Sequence, residues 1–128
     1  MANQVTNIGG VLSAVTTTIA YTDSSAVTIA TIPANSQIVD INIDVTTAFN
    51  AGTTNTIAVG KTGSAAAFAA ATSVGSAGRA SVASTGVYSA WADTGNSEIT
   101  ATATFAQTGS AASAGAARVT IVYKSYAP

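Results

Sequence analysis

Five carboxylates (Asp23, Asp40, Asp44, Asp93, Glu98) and four cations (Lys61, Arg79, Arg118, Lys124) are the only charged side chains in 128 residues, and neither histidine nor cysteine occurs. A Ser-His-Asp triad, a Cys-His nucleophile and a zinc site of the usual nitrogen and sulfur ligands are therefore excluded. General acid–base chemistry at neutral pH would fall to the carboxylates and the two lysines. Asp93 and Glu98, close in sequence to Tyr88 and Trp91, are the one pair that could flank a glycosidic bond. Asp93-Thr94-Gly95-Asn96 reads as a turn, however, and nothing else in the chain supports hydrolysis. Packing or an interface is the better reading of Tyr88 and Trp91, and no enzyme is expected.

Three further patterns have simple alternatives. Asp40, Asn42 and Asp44 place oxygen ligands at alternate positions, as a calcium loop begins. That loop needs glycine at its sixth position and glutamate at its twelfth, where this chain has Val45 and Ala51. On a strand the three side chains form a row spaced about 7 Å apart, not a cage. They are candidates for an interface, and no metal is assigned to them. Gly60-Lys61-Thr62 resembles the end of a phosphate-binding loop, but the glycine required five residues earlier is Asn55 and Gly63 follows directly. It reads as a hairpin end. Thr100, Thr102 and Thr104 make a short threonine ladder of the kind ice-binding surfaces carry, yet no repeat stacks further rows beside it. No cofactor is implied. Four basic residues are too few for a phosphate-neutralising stripe, so nucleic acid is not an expected partner. No apolar run approaches the ~18 residues of a membrane span. The first residues show no signal peptide.

The elements that must position these groups follow from composition. Ile and Val number 22 against a single leucine, and Ala, Thr, Ser and Gly fill 75 positions. β-Branched side chains favour the pleated strand over the helix. The fold class is therefore all-β: a single-domain β-sandwich or jelly roll of about eight short strands. Residues 1–10, closed by Gly9-Gly10, read as a flexible arm, and 11–128 as the sandwich domain. Strands are expected at 11–22, 26–32, 39–49, 56–61, 79–84, 87–91, 98–105 and 117–123. In 39–49 the odd positions Val39, Ile41, Ile43, Val45 and Phe49 should face the core. Ile99 and Phe105, with Ala101 and Ala103, should do the same in 98–105, an echo in which a phenylalanine again ends the apolar face. The alanine-rich 64–72 is the one stretch compatible with a short helix. The long connection 107–116 suits a Greek-key crossing.

Charged residues make up 7 % of the chain, against roughly 25 % in an average domain. A surface so poor in charge suits broad contact with other protein, and a homo-oligomer is expected. The segment Ile32-Pro33-Ala34-Asn35-Ser36-Gln37-Ile38, continuing through Val45-Thr46-Thr47-Ala48-Phe49-Asn50-Ala51-Gly52-Thr53 to Ile57-Ala58-Val59-Gly60, resembles small β-sandwich virion proteins of tailed bacteriophages. The resemblance is greatest to capsid decoration (cement) proteins, and the stretch 66–79 shares it. It implies a homotrimer on the capsid exterior that clamps the major capsid protein, with no catalytic residues to carry across. The alternative is a receptor- or glycan-binding module of a phage fibre or tail, in which Trp91, Tyr88 or Tyr126 would stack on sugar.

Overall fold

The computed structural model describes residues 12–81 and 94–125. Eight strands occupy them: β1 (Leu12–Ala20), β2 (Val27–Ile32), β3 (Ser36–Thr47), β4 (Thr54–Lys61), β5 (Ser64–Ser73), β6 (Gly78–Ser81), β7 (Ile99–Thr108) and β8 (Ala116–Ser125). They form two four-stranded sheets, β1-β8-β3-β6 (sheet A) and β2-β7-β4-β5 (sheet B), antiparallel throughout. The first strand pairs with the last, the second with the seventh, the third with the sixth, and the fourth with the fifth. The chain is thus an antiparallel ribbon rolled onto itself, which is the jelly-roll form of the sandwich. The expected all-β class holds.

The core lies between the sheets and is built from the inward side of each alternation. Sheet A contributes Ile19, Ile41, Ile43, Val119 and Ile121, and sheet B Ile32, Ile57, Val59, Ala101 and Ala103; each is at most 1 % exposed. Large and small residues meet across the ladders: Phe105 lies opposite Ile57, and Ala103 opposite Val59. The two echoing phenylalanines meet. Phe49 and Phe105 have ring centroids 4.6 Å apart at 40°, the tilted contact that aromatic quadrupoles favour.

Two expectations are corrected. Residues 64–72 form strand β5 and not a short helix; no helix occurs among the described residues. Thr62-Gly63 is a two-residue hairpin loop, with Lys61 paired to Ser64 and Gly63 at φ 84°. That turn sends the chain straight back along β4, where alanine fits as well as any small residue. An isolated helix of nine residues would be marginal in any case. A strand instead satisfies the open edge of β4 and buries Phe68 and Ala69. The second correction is Val39, which is 43 % exposed while Ile38 is buried at 3 %. The pairing of β3 with β8 slips between Ile38 and Asp40, so a bulge inverts the alternation at Val39 before Ile41 restores it.

The expected strand at 87–91, the second half of that at 79–84, and the arm at 1–10 lie outside the described residues. The turn at Pro33–Asn35 is pinned from a distance. Asn35, at φ 57°, donates its backbone N–H to the Gly95 carbonyl at 2.8 Å, and Thr94 Oγ1 donates to the Pro33 carbonyl at 3.0 Å.

Glycine is required where the hairpin folds over itself. A Cβ at Gly60 would stand 2.2 Å from the backbone oxygen of Ser64, so Gly60 is what lets β5 cross so closely. Gly60→Ala should therefore cost about 1–3 kcal/mol through forced backbone displacement. Urea unfolding would register this as a lower midpoint at unchanged slope; an unmoved midpoint would contradict the close approach.

Candidate functional site

Sheet A and sheet B present outer faces of different chemistry. On sheet A the register aligns Thr18, Arg118, Asp44 and Arg79 in one rung across all four strands. The next rung aligns Thr16, Thr120, Asn42 and Ser81. Beyond the bulge, alternation sends Asn42 and Asp44 outward because Ile41, Ile43 and Val45 fill the core. Arg118 Nη2 donates to Asp44 Oδ2 at 2.8 Å, Arg79 Nε donates to Asn42 Oδ1 at 2.8 Å, and the hydroxyls of Thr16 and Thr120 are 2.8 Å apart. Thr16, Asn42, Asp44, Arg79, Arg118 and Thr120 line a shallow groove. Lys124 pairs in register with Gln37 on the same face, so three of the chain's four cations stand there.

Of the candidate interface residues, Asn42 and Asp44 are thus brought together with two arginines that sequence reading had not grouped with them. Spacing along the chain gave no signal for that meeting, since Asp44 and Arg118 are 74 residues apart. Asp40 is set apart by the bulge, where its Oδ1 accepts the Ile41 N–H at 2.9 Å. The oxygens of the row therefore face an arginine, a second arginine and a backbone amide, partners that oppose cation binding. Tyr88 and Trp91, and with them Asp93 and Tyr126, lie outside the described residues. Glu98 is exposed immediately before β7 and lines a groove with Lys61, Thr62, Ile99 and Thr100.

The outer face of sheet B carries almost no charge. Thr28, Thr102 and Gly60 form one rung, Thr104 lies opposite Ala58, and Thr54 and Thr108 share a 2.6 Å hydroxyl contact. Thr102 is only 7 % exposed, and Thr104 Oγ1 is buried without a hydrogen-bond partner. The middle of the threonine ladder is therefore covered, which does not suit a flat ice-matching array. Lys61 ends β4 at the Thr62-Gly63 turn, so Gly60-Lys61-Thr62 is a hairpin end.

The fold thus defines a jelly-roll β-sandwich. A solved structure described as the cyanophage Pam1 capsid asymmetric unit contains a chain similar to this one. The TM-score is 0.71, with 98 % of this chain and 92 % of that chain covered at 17 % identity. At that identity the likeness is one of fold. No protein-family model matches the sequence, and no curated protein does so.

The Arg118–Asp44 pair is half in solvent, at 55 % and 45 % side-chain exposure. Exposed pairs of this kind contribute at most about 1 kcal/mol. A double-mutant cycle of Arg118→Ala and Asp44→Ala should give a coupling below that figure and shrinking with added salt. A larger coupling would mean that the groove is structural and not a free surface.

Proposed function

We propose that this chain is a non-enzymatic structural protein of a tailed-phage virion. In this reading it is a decoration protein that binds the outside of the assembled shell as a trimer and stabilises it. The observation that carries the reading is the likeness of fold to a cyanophage capsid chain over nearly the whole of both chains. The low charge supports it. Broad faces of threonine, serine and alanine cost less hydration free energy to cover than charged faces do, because a hydroxyl can be re-paired across a contact while a buried unpaired charge is far more costly.

The mechanism is linkage. A protein that binds only the assembled shell stabilises it by mass action, by RT ln(1 + [L]/Kd) per site. Three copies acting together convert weak contacts with the major capsid protein into a long-lived clamp, because the second and third bindings are intramolecular. No bond is made or broken, so no residue needs a nucleophile, an acid or a metal.

Two experiments test this. Purified chain should sediment at three times its 12.4 kDa mass and restore the heat resistance of shells stripped of their decoration. A chain that neither forms trimers nor binds such shells would defeat the proposal. Deleting residues 1–10 should lower shell occupancy several-fold if the arm orders on a neighbouring subunit; unchanged occupancy would remove the arm from the mechanism.

A further inference from the structure

Among the described residues the four outer strands of the two sheets are β1, β6, β2 and β5. A strand edge offers unpaired N–H and C=O groups, and proteins blunt such edges with short length, charge, proline or bulges. Three of the four do so. β6 carries the charged Arg79. β2 has six, slips register between Thr28 and Ala30 and stops at Pro33. The β4–β5 ladder is irregular at two places. β1 combines what none of the others does: nine residues in nine unbroken pairs with β8, with no charge and no proline. Among the described residues no strand pairs with its other side.

The backbone identifies which groups are open. Tyr21 donates its N–H to the Gly115 carbonyl at 3.1 Å, on the β8 side. Peptide direction alternates along a strand, so Ala20 points the other way. Asp23 closes it there: the Ala20 N–H donates to Asp23 Oδ2 at 2.8 Å, and the Ala20 carbonyl accepts the Asp23 N–H at 3.0 Å. The same alternation turns Leu12, Ala14, Thr16 and Thr18 toward the open edge. Among the described residues the edge is thus a window of four residues, with a built stop at its C-terminal end.

We infer that this window is an interaction surface for β1 of a second copy of the chain, paired antiparallel about a two-fold axis at Val15. Asp23 sets the register. With Ala20 blocked, an axis at Val15 is the one that uses every open group among the described residues, matching Ala14 to the second copy's Thr16 and Leu12 to its Thr18. About eight backbone hydrogen bonds result, two for each of those pairs and their symmetry mates. Val15 then meets its own equivalent at a non-hydrogen-bonded position, where side chains approach most closely and β-branched pairs are favourable. Leu12, 58 % exposed, gains a neighbour. A self-pairing strand brings like residues together, so any charge on β1 would repel across the axis, and β1 has none. The inference does not rest on the capsid reading.

The test compares the whole chain with Ala14→Lys and Thr16→Pro, both at edge-facing positions where the β8 ladder keeps its own amides. Mass is followed by sedimentation from micromolar to millimolar concentration, with hydrogen exchange at the amides of Ala14, Thr16 and Thr18. The expected result is a wild-type mass rising to twice the unit formed by the folded variants, with those three amides slowing as it rises. The variants should weaken the association at least about tenfold. A wild-type mass equal to that of the variants at every concentration overturns the pairing. So does protection of the three amides that is independent of concentration, since the chain itself would then cover the edge. A trimer unchanged in wild type and variants refutes the pairing and leaves the decoration reading standing. Doubling of a single copy with no three-copy species supports the pairing and refutes the trimer.

Discussion

The space between two packed sheets, about 10 Å across, must be filled by whatever large apolar side chains the sequence supplies. This chain supplies few: ten isoleucines, twelve valines, three phenylalanines and a single leucine. Nearly every isoleucine of the described residues is spent there, and two of the three phenylalanines lie against one another. The rest of the structure depends on that filling. The alternation that sends Ile41 and Ile43 inward also sends Asn42 and Asp44 outward, so the polar row is a by-product of the core. The core also limits how the chain can turn. Gly115 lies where a Cβ would stand 2.4 Å from the Phe49 ring, so one of the few large residues closes the end of the sandwich only against a residue without a side chain.

Small side chains on the outside have a different consequence. An alanine- and threonine-rich surface is held in place by backbone pairing more than by side-chain contact, and the polar groups it offers are mostly hydroxyls. The charges that remain are not scattered. Three of four cations stand on one face of sheet A, while the centre of sheet B is threonine, alanine and glycine. A molecule with one ionic and one neutral broad face distinguishes its two sides to any neighbour. Such a difference suits a protein that must sit one way round on a surface.

Much of this was legible along the chain because period-two patterns are local. The inward set in β7 and that of β3 from Ile41 onward follow from the sequence of apolar residues alone. The failures have identifiable causes. Val39 continues a perfect alternation, and only the slip against β8 shows that Ile38 takes its place. The stretch 64–72 carries the residue with the best helix propensity, and its strand state is decided by a partner strand; Thr62-Gly63 was the one local sign of a hairpin. Tyr88 and Trp91, the aromatic pair proposed for an interface, lie outside the described residues.

What the sequence determined by itself is the class of the fold and the exclusion of chemistry that needs histidine or cysteine: β-branched residues and alternation are local preferences, and missing histidine and cysteine are missing wherever the chain goes. The tertiary structure alone decided strand order, the meeting of Asp44 with Arg118, and which edge was left undefended. Those depend on pairings between residues far apart in the chain, and sandwich topologies that share one local pattern differ only in such pairings. The Asp23 stop on β1 shows the division well. A turn-forming aspartate is readable from its neighbours, but that it closes one end of an otherwise open edge appears only once β8 has taken the other side.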